Sequence, residues 1–437
     1  MKPNCIAVAV VASLLWGGGH VGAVPAEDIP AQAAINELRA GTGAADAPGE
    51  AWIKLGNALM QDNRDTGSHD FSGAKEAFRA ALRTAPGNID ALVGMAWVCN
   101  SEHDFSAGAE WAGKVLAIDP VHPEAHALLS DRAIELGDYE SAFEHLQSAL
   151  DARADLSTYS RASHLLWLTG DLRKARWLMD QAIASGGGYP ENTAWCRAEL
   201  AVMELHAGAM IVAEQHAARA LREAPANPRV LATMGKVRAC QGRLDEAVAL
   251  YRRSIASAPT HDALAALADL YLRQGRAADA EKAIQAVIDH HGAGGHSHGP
   301  GGATHHHATG NAQLARFLAD HDRNLEQALR EAQAAGKTSR SISCMDTLAW
   351  CYLKTGEIEM AVRTIRRALK WKTPDPHLYF HAGLIHEAAG NHQLARRHLD
   401  RAFALNPRFD PLRSPAALVV LNAPRNAGPR PSGITPR

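Results

Sequence analysis

Apolar residues recur three and four positions apart through most of the chain, and these runs come in pairs separated by a tight break, as in "HALLSDRAIELGDYESAFEHLQSAL" and "ATMGKVRACQGRLDEAVALYRRSI". That spacing marks one face of an α-helix, so each pair predicts helix, turn, helix. Seven breaks carry a glycine, at Gly137, Gly170, Gly208, Gly242, Gly275, Gly356 and Gly390. Glycine can end the first helix in the left-handed conformation without a Cβ clash. Five positions after each stands an alanine (Ala142, Ala175, Ala213, Ala247, Ala280, Ala361 and Ala395), small enough to let the two helices approach closely. Pro86, Pro120, Pro225, Pro259 and Pro407 close five units, because proline cannot continue a helix.

Most successive glycines lie about 34 residues apart, the mark of one supersecondary unit copied along the chain. Each copy buries its apolar face only against its neighbours. Two earlier units lack the turn glycine. In one, Gly56, Ala74, Phe78 and Pro86 keep the register around a lengthened turn; in the other, Gly108 stands in for the alanine. The long gap between Gly275 and Gly356 holds a worn eighth unit, "LARFLADHDRNLEQALREAQAA", whose Ala328 stands one repeat length before Ala361. The expected fold is therefore all-α, a right-handed superhelical solenoid of about ten helix-turn-helix hairpins.

The pattern resembles the tetratricopeptide repeat family over roughly residues 49 to 410. Single units carry several of its marks at once, such as Met234, Gly235, Gly242, Ala247, Tyr251 and Pro259. The resemblance implies a non-enzymatic scaffold that holds a protein or peptide on a concave surface built largely from the first helix of each unit. Mapped by the turn glycine, the implied partner-binding positions include Trp97, Asp131, Trp195, Lys236, Asp269, Arg273, Asp346, Trp350 and Phe380. Tryptophans on a groove make good anchors, although Trp97 and Trp350, at helical spacing, can equally belong to the core. Family members that grip a C-terminal carboxylate use a set of lysines, arginines and asparagines. Here Arg229 and Lys236 are flanked by acids in the neighbouring units, so that specificity does not carry over.

The 437 residues are 46% hydrophobic with a formal net charge of −2, which argues against a nucleic-acid partner, since such proteins usually show a basic face. The chain has no glycine-rich phosphate loop and no nucleophile elbow, and the repeats leave no room for a separate catalytic domain.

Residues 1–23 read as a secretory signal, with Lys2, an apolar stretch from Ile6 to Trp16 and small residues at Gly22 and Ala23. The stretch is too short for a permanent anchor. The expected location is periplasmic or secreted, without stable membrane insertion. A linker with a short helical patch (24–48) leads to seven units (49–289). A histidine and glycine loop (290–310) precedes the last three units (311–410), and a capping segment and proline-rich tail (411–437) follow. Removing the signal leaves Cys99, Cys196, Cys240, Cys344 and Cys351, an odd number without metal or redox pair spacing, so no disulfide framework is expected.

The loop gives the scaffold its one chemical hint. "DHHGAGGHSHGPGGATHHHATGN" holds His290, His291, His296, His298, His305, His306 and His307 among glycines, with no apolar face. Neutral imidazoles bind zinc, nickel and copper, and the stretch is similar in composition to histidine-rich segments of bacterial zinc and nickel handling proteins. No carboxylate or thiolate within it orients the rings, which points to weak, exchangeable binding. No cofactor is required by the scaffold reading; metal buffering or delivery through this loop is the alternative. His377 and His381, one helical turn apart, form a weaker candidate, with surface or packing roles more typical of such residues.

Overall fold

The computed structural model describes residues 31–43, 47–186, 189–293 and 308–410, together with 412–414, 418 and 421. The signal segment and loop residues 294–307, including His296, His298, His305, His306 and His307, lie outside the described residues. Within them the chain is all-helical, with 21 α-helices and no strand. After α1 (Ala31–Gly41) the helices pair as ten hairpins.

Units 1 to 5 are α2 (Gly49–Thr66) with α3 (Ser72–Thr84), α4 (Ile89–Ser101) with α5 (Phe105–Leu116), α6 (Pro123–Leu136) with α7 (Tyr139–Ala152), α8 (Leu156–Leu168) with α9 (Leu172–Ser185), and α10 (Pro190–His206) with α11 (Met210–Glu223). Units 6 to 10 are α12 (Pro228–Cys240) with α13 (Leu244–Ser257), α14 (His261–Arg273) with α15 (Ala277–Ala293), α16 (Ala308–Asp320) with α17 (Leu325–Thr338), α18 (Ile342–Lys354) with α19 (Ile358–Ala368), and α20 (Pro376–Ala388) with α21 (His392–Leu405).

The seven alanines that follow the turn glycines are all at most 1% exposed, as a close helix approach demands. Unit 1, read as lacking the turn glycine, does end its first helix on a left-handed one, Gly67 at φ 70°, and where the glycine is truly missing another residue takes its backbone. His103 in unit 2 and Asp322 in unit 8 adopt φ of 61° and 51°. The hydrogen bond that closes the turn survives in both: Asp104 N to Cys99 O at 2.8 Å and Arg323 N to Leu318 O at 2.9 Å, like Asp138 N to Ala133 O at 2.8 Å in unit 3. The worn units therefore keep the geometry that the glycine ordinarily supplies, at the cost of a left-handed non-glycine residue.

The solenoid is wound tightly enough for successive turns to touch. Carbonyls at the end of a first helix accept hydrogen bonds from a loop far along the chain, which answers the need of a helix C-terminus for donors. The Ser339 hydroxyl donates to Glu135 O at 2.6 Å, and Asn406 Nδ2 donates to Leu205 O at 2.7 Å. The Thr373 hydroxyl donates to Leu168 O, and Asn227 Nδ2 donates to Arg64 O at 3.3 Å. Units 3, 4 and 5 thus dock on the loops that follow units 8, 9 and 10, a constant offset of five. Unit 1, with its lengthened turn, meets the loop after unit 5 instead.

The turn glycines of units 3, 4 and 5 are pressed against the next turn. A Cβ at Gly137 would lie 2.4 Å from Arg340 O, one at Gly170 2.7 Å from Trp371 O and one at Gly208 2.4 Å from Leu405 O, whereas one at Gly242, Gly275, Gly356 or Gly390 would meet nothing within 4 Å. A shared apolar cluster runs through this contact, joining Tyr139, Leu146 and Leu165 to Ile342, Ile365 and Leu378.

Candidate binding cavity and its histidines

A partly open cavity of about 1130 Å³ lies on the inner side of the stacked helices. Its wall comes mainly from the first helices α10, α12, α14 and α16, with Phe409, Asp410 and Leu412 from the segment after α21. The floor is small and apolar, with Val202, Ala232, Ala265, Ala266 and Leu270 among the lining residues. Polar groups of both signs surround it: Lys236 and Arg273 on one hand, Asp262 and Glu331 on the other. Arg273 and Asp262 are exposed, and Lys236 is half-buried.

The positions implied as partner contacts separate into three groups, of which Trp97 and Asp131 pair with the next repeat. Trp195, Lys236, Asp269 and Arg273 sit at or beside the cavity, with the Arg229 guanidinium 5.6 Å from the Trp195 ring. Asp346, Trp350 and Phe380 are buried, at 6%, 4% and 3% exposure. Trp350 stacks on His381 with ring centroids 4.3 Å apart, and Phe380 packs on Phe409. Of the two readings open to Trp350, the structure places it in the core, where the neighbouring unit covers it.

Many groove charges are engaged by the next repeat. Arg161 Nε holds both oxygens of Asp131, at 3.1 and 3.2 Å. Arg229 holds Glu199 at 2.8 Å, and Arg316 holds Asp346 at 3.0 Å. In each case an acid and an arginine 30 residues apart, about one helical turn short of the repeat, meet across adjacent first helices. Trp97 joins the same ladder by donating its Nε1 hydrogen to Glu124 at 2.7 Å. Asp269 is occupied differently, since Arg413 from the C-terminal segment grips it at 2.8 and 3.1 Å and His321 Nε2 approaches at 3.2 Å.

Histidines gather where the loop leaves the solenoid. His69, His103, His261, His290 and His291 all line the cavity. His261 Nδ1 and His291 Nε2 lie 2.8 Å apart. Burial, followed by the neighbouring His261 and His290, lowers His291 to about 4, so its ring is neutral at pH 7 and has a lone pair to offer. His103, in the turn of unit 2, thus shares a cavity with His290 and His291 at the end of unit 7.

The histidine pair that the sequence suggested, His377 and His381, is divided: His381 is buried and bonded to Asp346 Oδ1 at 2.9 Å, while His377 joins two residues the sequence did not pair with it. His206 ends α10, while Asp375 caps α20 by accepting from His377 N at 2.9 Å. Their turns meet at the Asn406–Leu205 contact, and His206, Asp375 and His377 each bring one ligand-type atom to within 4.8 Å of the others.

The architecture defines a protein built of stacked helical hairpins. Models of the tetratricopeptide repeat match residues 65–131, 239–293 and 347–408, so the chain carries tetratricopeptide repeats. No curated protein matches it in sequence.

Similar solved structures include the human IFIT1 dimer with PPP-AAAA, at 15% identity over 86% of this chain and 85% of that one, with a TM-score of 0.46. The Pseudomonas aeruginosa pilF protein aligns at 15% identity over 50% of this chain and 92% of its own, with a TM-score of 0.35. A tetratricopeptide repeat protein from Parabacteroides merdae aligns at 16% identity over 61% and 97%, with a TM-score of 0.33. The PPP-AAAA belongs to the IFIT1 structure. Among the described residues no helix is long and apolar enough to cross a membrane.

Proposed function

We propose that this protein is an exported scaffold that binds a segment of another protein within its central cavity. The observation that carries the reading is the lining: a floor of alanine and small aliphatic residues ringed by Lys236, Arg273, Asp262 and Glu331. Such a surface suits a polypeptide, which offers apolar side chains and charges of both signs, better than a polyphosphate backbone, which calls for cations throughout. The exported location rests on residues 1–23 alone. The reading assigns no chemistry to the cavity.

The test is quantitative capture of partners from the exported fraction with Lys236→Glu and Arg273→Glu combined, against Arg363→Glu on the exposed side of α19. Loss of partner with the first pair and retention with the second supports the cavity. An unchanged partner set with both removes it.

The gathering of His69, His103, His261, His290 and His291 on one cavity favours a second reading, in which the loop collects zinc, nickel or copper and holds it at the cavity mouth. Zinc and nickel titrations of the full chain and of a variant with His296, His298, His305, His306 and His307 changed to serine decide it. Equal affinities would sink the loop's role.

A further inference from the structure

We propose that His206, Asp375 and His377 form a zinc site, separate from the histidine-rich loop, that ties two turns of the solenoid together. Three observations converge on it. The first is the donor set: two imidazoles and one carboxylate, the composition of open zinc sites with three protein ligands and one position left for water.

The second is geometry. Asp375 Oδ1 lies 3.2 Å from His377 Nδ1 and 3.9 Å from His206 Nδ1, and the three ligand atoms all fall within 4.8 Å of one another. Tetrahedral zinc with bonds of about 2.0–2.1 Å holds its ligand atoms about 3.3–3.4 Å apart. One pair is already there, and rotation of the His206 ring with a small contraction brings in the rest.

The third is an unanswered polar group. His206 is 8% exposed, and neither of its ring nitrogens has a hydrogen-bond partner. A buried imidazole lacking both partners is costly unless something else binds it. Its ring lies 5.5 Å from Trp167 and 6.0 Å from His377, so it is held facing the other two groups. The side chains of Asp375 and His377 remain 29% and 24% exposed, which leaves a route for the ion and its water.

Position gives the site a purpose. His206 is the last residue of α10 in unit 5, and Asp375 and His377 open α20 in unit 10. The same junction carries the Asn406–Leu205 hydrogen bond and the Gly208 turn, where an added Cβ would lie 2.4 Å from Leu405 O. An ion bound there draws ligands from both turns, so its binding free energy appears as stability of the wound form.

The test uses the full chain with the five loop histidines outside the described residues changed to serine, so that the loop cannot supply the signal. Zinc is titrated against a chromogenic chelator, cobalt is added for its visible d–d bands, and thermal unfolding is followed with and without zinc. The parent is expected to bind one zinc with a raised Tm and to show cobalt bands. Asp375→Asn keeps a good N-cap while removing the carboxylate, and His377→Ala removes an imidazole. Each is expected to weaken zinc at least about 10-fold and to abolish both the cobalt bands and the zinc-dependent rise in Tm. A parent that binds no zinc, or variants that bind it as tightly as the parent, would overturn the proposal.

Discussion

The hydroxyl of Tyr139, at the start of α7, accepts a hydrogen bond from the backbone N–H of Ile342, the first residue of α18, at 3.0 Å. Two residues far apart in sequence thus form a helix cap across adjacent turns of the solenoid. Ser341, the residue that would ordinarily cap α18, makes no side-chain cap bond, so Tyr139 supplies it from the other turn.

Tyr139→Phe leaves the Ile342 N–H buried without an acceptor. Tyr139 is 2% exposed, and its ring is retained in the variant, so packing changes little. The expected loss is about 1–3 kcal/mol of unfolding free energy, read from denaturant unfolding. A loss well under that range would mean the cap is not formed in solution.

The turn glycines separate backbone strain from inter-turn docking. Gly242→Ala pays only for a left-handed alanine, roughly 1–2 kcal/mol, because φ there is 79° and a Cβ meets nothing. Gly137→Ala carries the same strain at φ 77° and adds the clash with Arg340 O, roughly a further 1–3 kcal/mol. Equal Tm shifts in the two variants would contradict the docking of unit 3 on the loop after unit 8.

Those two glycines show what the sequence could disclose. The recurrence of glycine and alanine marks a local turn and a close helix pair, both settled by residues a few positions apart, so the ten hairpins were legible. Nothing local distinguishes Gly137 from Gly242, because the difference is a loop one full turn of the solenoid away. His103 and Asp322 hid their turns by taking a glycine's conformation without its name.

The groove residues were half legible for the same reason. The positions implied by the family resemblance include Lys236 and Arg273, which line the cavity, but the resemblance cannot tell a concave position from one that the next unit covers, as it does Trp350. The pairing of Asp131 with Arg161 and of Glu199 with Arg229 had a readable signal, opposite charges at a spacing just short of the repeat. The gathering of His206 with Asp375 and His377 had none.

Stability should fall in mild acid. Burial, the leading cause in each case, lowers the histidines His164, His381, His386 and His398, with Arg316 adding to it at His381, Arg366 at His386 and His386 at His398. Their folded pKa values lie below the unfolded value near 6.5, so the folded chain resists the proton that the unfolded chain accepts. Stability is then full above about pH 6.5 and declines below it, by up to about 1.4 kcal/mol per pH unit for each ring that stays neutral. Thermal unfolding from about pH 7.5 to about pH 5 reads the slope. His386 and His398 stack at 5.4 Å, so His386→Gln with His398→Gln should flatten it; a Tm that does not change with pH contradicts the account.

The cysteines should be silent until the protein unfolds. Cys99, Cys196, Cys240, Cys344 and Cys351 are all free and buried, and burial pushes their thiols up to about 11, 12, 11, 12 and 12. Thiolate is the reactive form, so a chromogenic thiol reagent should count none of the five in the native protein and all five in denaturant. Rapid native labelling of any of them would show that its unit opens readily.

The central claim is that the partner lies inside the curve of the solenoid. A photo-crosslinking amino acid placed at Arg273 on the cavity, and separately at the 87% exposed side chain of Glu359 on α19, tests it in the intact protein. Irradiation in the exported fraction should give a discrete crosslinked product from position 273 and none from position 359. The same product from both positions, or one from position 359 alone, would place the partner outside the cavity.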